Sequence, residues 1–204
     1  MKIALLVPLL IGILVAACAN PRPSPNAAET LVPEPTETVT ATPTPASVGD
    51  EATTESAPDF EGTAGNTERI NPKATGAALL KDVRSGRHAN YDRVVFEFKG
   101  TALPSFKIEY IDKPVRSCGS GEVVPLAGDA WLSVRFSGAN AHTEAGEATI
   151  KDRARSPNLP VVKDLKLICD LEAEVEFVMG VSSPNKYRVL ELKSPARLVV
   201  DIRH

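Results

Sequence analysis

Apolar and polar residues alternate in short runs along the C-terminal part of the chain, and this pattern constrains the fold more than any other feature. In the run 105–111, Phe106, Ile108 and Tyr110 share one face, because successive side chains of a strand point to opposite sides. Turn-forming Gly, Pro, Asn and Asp residues separate further runs of this kind, which lie at 93–98, 131–136, 161–168, 173–181, 187–192 and 197–202. No stretch keeps a helical period beyond one expected turn at 140–147. We therefore predict an all-β sandwich or barrel of short strands.

The first eighteen residues resemble a bacterial lipoprotein signal peptide. A positive start at Lys2 is followed by an apolar run that ends in the letters LVAAC, with Cys18 last. The run is shorter than the roughly 20 residues that span a bilayer, so we expect cleavage after residue 17. Cys18 would then carry acyl chains, palmitate included, and hold the protein on the extracytoplasmic face of the cell membrane. An uncleaved anchor and an ordinary secretory signal are the alternatives.

Residues 18–72 have the composition of a disordered linker. Between residues 19 and 72, Pro, Thr, Ser and Ala supply 30 of 54 positions, and Val, Ile, Leu and Phe supply only six. So little apolar area cannot offset the entropy of ordering the segment. Nine acidic residues against two basic ones give it a negative charge. We therefore place a signal peptide at 1–17, a lipidated Cys18 with an acidic linker at 18–72, and a β domain at 73–204.

The charge of the predicted β domain is close to neutral. Residues 73–204 hold 20 Lys or Arg and 17 Asp or Glu, whereas a nucleic-acid binder has clustered Lys and Arg and a high pI. The chain also has only one long apolar run, which excludes a polytopic membrane protein. We therefore expect no nucleic-acid partner, and the small positive balance predicts loose attraction to anionic envelope polymers.

Two predicted strands share one pattern: an Arg, three apolar residues, an acid and an apolar residue. These strands are 93–98 and 197–202. In both, the even-numbered apolar residues are expected to face the core and the odd-numbered residues to be exposed, with the acid outward beside the Arg. Either an internal repeat or two similar central strands would explain the pattern.

Three blocks of the β domain resemble an AMIN-like domain. They are 86–98 (GRHANYDRVVFEF), 124–132 (VPLAGDAWL) and 194–202 (SPARLVVDI), and the resemblance covers about residues 79–203. It implies a β-sandwich of short, mostly antiparallel strands. AMIN modules direct envelope enzymes such as peptidoglycan amidases to the cell wall, so the resemblance implies an envelope-binding module without chemistry of its own. Since no amidase domain follows the module, a targeting role needs a separate partner protein.

Two cysteines remain if Cys18 is acylated. Cys118 lies in a predicted turn and Cys169 at the end of a predicted strand, and an extracytoplasmic compartment favours disulfides. We predict a Cys118–Cys169 disulfide, with two free thiols as the alternative.

The sequence shows no motif for catalysis or metal binding. His88, His142 and His204 are scattered, and no His-x-x-x-His, Cys-x-x-Cys or Gly-x-Ser-x-Gly spacing occurs. We therefore predict a protein that is not an enzyme and uses no cofactor or metal. The last residue, His204, is expected to be frayed.

The densest polar cluster directly precedes a predicted strand. Arg87, His88, Tyr91 and Arg93 could bind anionic or sugar groups of wall polymers, since Arg offers a planar fork of donors. The alternative, which we prefer, is structural. Asp92 would pair with one of the two arginines or hold the loop through a turn bond.

Trp131 is the single tryptophan of the chain. It alternates with the inward residues of its strand and so lies on the outer face together with Arg135. An exposed Trp131 beside Arg135 would form a stacking platform for a sugar ring or a partner protein. A Trp131 covered by a loop or by the core is the alternative, and we prefer it.

Three functions are compatible with these features. In the first, a membrane-anchored envelope lipoprotein binds cell-wall glycan (peptidoglycan) or a wall-associated protein without catalysis. In the second, the domain recruits an envelope enzyme by strand addition at a sheet edge. In the third, it is a hydrolase with an unrecognised site, which would need converging carboxylates with shifted pKa values.

Overall fold

The computed structural model describes residues 60–72 and 76–204, and the regular elements within them are all strands. The predicted signal peptide, Cys18 and most of the predicted linker lie outside the described residues. Within the described part there is no helix long and apolar enough to cross a membrane. The strands are β1 (Thr67–Arg69), β2 (Ala78–Arg87), β3 (Tyr91–Phe98), β4 (Ser105–Ile111), β5 (Ala130–Ser137), β6 (Ala139–Asn140), β7 (Ala154–Arg155), β8 (Val162–Leu171), β9 (Glu174–Val181), β10 (Tyr187–Leu192) and β11 (Arg197–Arg203).

The strands form two sheets that share one core. The six-stranded sheet has the order β1-β4-β5-β9-β8-β7, and the five-stranded sheet has the order β10-β11-β3-β2-β6. Neighbouring strands are antiparallel except for the parallel pair of β2 and β6. The predicted all-β sandwich of mostly antiparallel strands is confirmed. The helical turn expected at 140–147 is wrong, because this stretch is a non-helical turn closed by a bridge between His142 and Ala148.

The core lies between the sheets and is built from alternate residues of each strand. Phe96 of β3 links the two layers: its ring centroid lies 5.2 Å from that of Phe136 on β5 and 5.3 Å from that of Phe177 on β9. All three rings are buried. Such edge-to-face contacts add to the free energy gained by burying the rings.

The seven predicted runs all coincide closely with strands, but the ten-residue β2 was not predicted. A bulge between Leu80 and Asp82 shifts its pairing with β3. Leu80 and Val83 therefore both face the core, three positions apart instead of two or four. The simple alternation that identifies a strand is broken at this point.

Residues 60–72 belong to the folded domain, although their composition assigns them to the linker. β1 pairs with β4 at the edge of the six-stranded sheet, and Thr63 forms a bridge with Tyr187 at the edge of the five-stranded sheet. The Tyr187 hydroxyl donates a hydrogen bond of 2.6 Å to the carbonyl of Gly65. We call residues 60–72 the N-terminal strap. It contacts one edge of each sheet, so the domain start predicted at residue 73 is too late.

The two strands of shared pattern are direct neighbours. β3 and β11 pair antiparallel, so that Arg93 lies opposite Asp201 and Glu97 lies opposite Arg197. The shared pattern thus places an Arg against an acid twice along the pair. The expected exposure of odd-numbered residues is wrong for Asp201 and Val199, which are buried. The Asp201 side chain does point to the outer face of the sheet, as expected. It is buried there because the side chain of Arg93 binds its carboxylate.

Candidate functional site

The six predicted ligand-binding residues fall on two separate surfaces. The outer face of β5, in the six-stranded sheet, carries Trp131 and Arg135. The adjoining ends of β2 and β3, in the five-stranded sheet, carry Arg87, His88, Tyr91 and Arg93. The structure therefore does not bring the two sets together into one site.

A polar groove crosses the outer face of the six-stranded sheet. Its cavity volume is about 430 Å³. Strand register aligns its central side chains, since Lys107 lies opposite Arg135 and Arg135 lies opposite Glu176. The side chains that define the groove are Glu68, Lys107, Arg135, Ser137, Glu174 and Glu176, with Cys118 and Cys169 at its wall.

The central cations of the polar groove are already paired with carboxylates. Arg135 directs Nε and Nη2 at one oxygen of Glu176, at 3.2 and 2.8 Å, and Lys107 lies 2.8 Å from Glu109. The Glu176 side chain is only 8% exposed and also accepts a hydrogen bond of 2.6 Å from Ser133. The groove thus offers N–H donors whose charge is compensated. Such donors suit neutral hydroxyl and amide groups better than a strong anion.

The predicted disulfide between Cys118 and Cys169 is present, and its Cα atoms lie 5.2 Å apart. It ties the loop that follows β4 to β8, next to a small apolar cluster on the outer face of the sheet. Trp131 is half-buried in this cluster, and Nζ of Lys113 lies 3.9 Å from the centroid of its ring. Because loop residues and Lys113 pack on the indole, Trp131 does not form an open stacking platform.

The residues at the start of β3 form a packed cluster around a buried acid. Asp201 accepts hydrogen bonds from Arg93 at 2.6 and 2.9 Å and from Arg188 at 2.9 Å, and it is fully buried. The Arg188 guanidinium carbon lies 4.9 Å from the ring centroid of Phe60 and 5.0 Å from that of Tyr91. The hydrogen bonds to Asp201 raise the pKa of Arg93 above its ordinary value. This cluster holds the strap against the five-stranded sheet.

The other two predicted residues of this loop are exposed. The His88 ring stacks on Tyr91, with 4.6 Å between centroids. Arg87 forms no ion pair with any other described residue. Both side chains therefore remain available at the surface.

Asp92 stabilises the loop before β8, with partners other than those expected. Its buried carboxylate accepts hydrogen bonds from the backbone N–H groups of Val161 and Val162, at 2.6 and 2.9 Å, and not from the neighbouring arginines. Nε2 of His204 lies 3.0 Å from the other carboxylate oxygen. The last residue is therefore held in place, and the expectation that it is frayed is wrong.

Asp164 is the carboxylate with a shifted pKa among the described residues. Burial raises its pKa, but hydrogen bonds from Ser156 and from the backbone N–H of Ala127, together with Lys166, outweigh burial and lower the pKa below its ordinary value. A lowered pKa suits a hydrogen-bond acceptor better than a general acid. The described residues also contain no group of three or more His, Cys, Asp or Glu positioned to hold a metal ion.

Several residues of these surfaces were not predicted, namely Phe60, Lys107, Glu176 and Arg188. The alternation of their strands already places Lys107 and Glu176 on an outer face. The register that brings both beside Arg135 is not readable from alternation. Phe60 was missed because it lies among residues with the composition of a linker.

Residues 78–204 match the family model of the AMIN-like domain. No curated protein and no solved structure matches the chain. The matched segment contains β2 to β11 and leaves the N-terminal strap outside. The AMIN-like domain implies an envelope-associated protein and indicates a cell-envelope binding or targeting module. Because the matched segment is more than half of the 204 residues, the chain belongs to the AMIN-like domain family.

Proposed function

We propose that this protein is a membrane-anchored lipoprotein of the cell envelope, and that its AMIN-like domain binds cell-wall glycan through the polar groove without catalysis. In this proposal Cys18 is the anchor, acylated after removal of residues 1–17. Family membership supports the envelope role. The chemistry of the groove supports the choice of a glycan as ligand.

The observation that carries this proposal is the charge compensation within the polar groove. Arg135 uses Nε and Nη2 on Glu176, which leaves its Nη1 group without a hydrogen-bond partner among the described residues. A glycan hydroxyl or amide oxygen can accept from this group and from Lys107, while sugar hydroxyls donate to Glu68 or Glu174. Since the groove has little net charge, such binding should depend only weakly on salt.

Cosedimentation with purified peptidoglycan tests the proposal, using residues 18–204 with Cys18→Ser to remove both the signal peptide and the acyl anchor. Lys107→Gln leaves the Arg135–Glu176 pair intact and removes one charged donor, so binding should weaken about tenfold. Lys151→Gln changes an exposed lysine outside the groove and is the matched control. Equal binding by the two variants, or no binding by the Cys18→Ser chain at low salt, would contradict the proposal.

The proposed anchor has its own test. The Cys18→Ser chain should lose incorporation of labelled palmitate, because Cys18 is the proposed site of acylation. Incorporation of labelled palmitate by this variant at the level of the parent chain would contradict anchoring through Cys18.

A second candidate function is recruitment of a partner protein at the edge of β10. Leu190 and Leu192 are 39% and 38% exposed, and beyond the Thr63–Tyr187 bridge no described strand pairs with this edge. An extended peptide can add a strand at such an edge.

Val189→Pro tests strand addition at β10. The N–H of Tyr187 points to Thr63 and away from β11, so the N–H of Val189, two residues on, points the same way. The variant should abolish capture of a strand-adding partner and leave peptidoglycan binding unchanged, because an edge strand tolerates proline at such a position. Loss of peptidoglycan binding in a folded Val189→Pro chain would instead place the glycan at this edge.

A further inference from the structure

We propose that the folded domain docks on anionic lipid headgroups through one basic end of the five-stranded sheet. This surface is distinct from the polar groove, and the inference goes beyond glycan binding. Its cellular setting rests on the proposed anchor at Cys18, but the contact with lipid does not.

Four neighbouring strands of the five-stranded sheet begin or end at this surface, which we call the basic end. β2 ends at Arg87, β3 begins at Tyr91, β11 ends at Arg203 and β10 begins just after Lys186. The backbone N–H of Arg203 donates to the carbonyl of Lys186 at 3.0 Å, and Arg203 lies opposite Tyr91 in the sheet. Three cationic residues are therefore placed on adjoining strand ends.

The basic end has three exposed cations, Arg87, Lys186 and Arg203. None of them forms an ion pair within the described part of the chain. Behind them, Arg93 and Arg188 share the single buried carboxylate of Asp201, which leaves further positive charge. Two further acids offset part of this charge: Glu61, an exposed residue of the strap, and the buried Asp92, which lies opposite Arg87 in the sheet. The balance of the surface stays positive.

The opposite end of the sandwich carries both signs. Its exposed lysines are Lys99 and Lys193, which follow β3 and β10, and exposed acids of the same end are Glu144, Glu147 and Glu172. Positive charge is therefore concentrated at the basic end. A molecule with this charge distribution turns its basic end toward an anionic surface.

The chain also enters the folded domain at the basic end. Phe60 packs against Arg188 and Tyr91, and 41 residues lie between it and Cys18. An acylated Cys18 would tether the basic end to the bilayer, where even a weak attraction favours contact.

Sedimentation with lipid vesicles tests the proposal on residues 18–204 with Cys18→Ser, which lack both the apolar run 1–17 and the acyl anchor. Vesicles of phosphatidylcholine mixed with phosphatidylglycerol should bind the chain at low salt, and vesicles of pure phosphatidylcholine should not. Binding should be lost near 1 M salt, where the Debye length is about 3 Å. The triple variant Arg87→Gln, Lys186→Gln, Arg203→Gln should lose affinity on the order of a hundredfold.

A matched control distinguishes loss of the basic end from a general loss of positive charge. The variant Lys99→Gln, Lys151→Gln, Lys193→Gln has the same net charge as the first triple variant and should bind vesicles like the parent chain. Equal loss in both triple variants would overturn the proposal. So would failure to bind the mixed vesicles at low salt, or binding to soluble polyphosphate without binding to vesicles. Peptidoglycan binding should be unchanged in the first triple variant, so that glycan binding and lipid docking can fail independently.

Discussion

At the scale of single residues, buried carboxylates hold the loops of this domain. Asp92 is the clearest case, because it binds two backbone N–H groups at the start of β8 and also contacts His204. In the sequence it stands between residues that resemble a binding motif. A buried N–H without a partner costs about 1–3 kcal/mol. An acid that accepts hydrogen bonds from such groups therefore stabilises the loop.

Asp92→Ala should lower the free energy of unfolding by about 3 kcal/mol, because it leaves the N–H groups of Val161 and Val162 buried and unpaired. Urea denaturation measures this change. Asp92→Asn keeps one carbonyl acceptor and should lose less. Wild-type stability of the Asp92→Ala chain would contradict the structural role.

Asp164 should make stability depend on acid pH. Its pKa is lower in the folded chain: burial raises it, but the bonds from Ser156 and Ala127 and the charge of Lys166 outweigh burial. Such a group contributes stability above its ordinary pKa of about 3.9, and the contribution is lost as the pH falls through the lower folded value.

Asp164→Asn should therefore be less stable than the parent chain at neutral pH, with a gap that narrows below about pH 4. Unfolding free energies of both chains, measured by denaturant titration across this range, check the prediction. A gap of constant size down to the acid limit would argue against an ionised Asp164 in the folded domain.

At the scale of elements, the strands with unbroken alternation could be predicted from the sequence, and those without it could not. The run Ser105–Ile111 is a strand with the predicted faces. β2 was not predicted because its bulge changes the spacing of core residues. β1 was not predicted because its three residues lie in a segment poor in apolar residues. Its pairing also depends on the edge of the sheet at β4.

The same limit applies to the candidate site. Outer-face positions such as Lys107 and Arg135 follow from alternation, but their alignment with Glu176 depends on which strands are neighbours and in which register. Asp201 shows the effect most clearly, since its burial depends on Arg93 and on Arg188 from two other strands. Tertiary pairing of this kind leaves no local signal in the sequence.

The disulfide loop should loosen when both cysteines are replaced by serine. Cys118 and Cys169 are 51 positions apart, and closing a loop of that length is worth about 4 kcal/mol in the chain-entropy model. Because loop residues pack on Trp131, the double variant should show a red-shifted tryptophan emission and a lower melting temperature. Since Trp131 is the single tryptophan, fluorescence reports this site alone. Unchanged emission and melting would contradict the role of the disulfide in covering Trp131.

At the scale of the whole molecule, the folded unit is longer than the family match. The match begins at residue 78, but the strap contacts the edges of both sheets before that point. A chain of residues 60–204 should therefore melt like the full chain. A chain of residues 78–204 should melt at a lower temperature and aggregate, because the edge of β4 is left open. Equal melting of the two shortened chains would show that the strap adds nothing to the fold.

The whole domain also separates two kinds of surface. The polar groove has compensated charges, whereas the basic end keeps cations without ion-pair partners in the described part of the chain. Glycan binding at the first should depend little on salt, and lipid docking at the second should depend on it strongly. The small net charge of the domain therefore results from two surfaces with different charge distributions.

Amide chemical shifts of the 15N-labelled Cys18→Ser chain, followed during titration with soluble peptidoglycan fragments, test most directly whether the polar groove binds glycan. Binding in the polar groove should give saturable shifts centred on Lys107, Arg135 and Glu174, with little change along β10 or at the basic end. Shifts centred on β10, or no shifts at high fragment concentration, would contradict it.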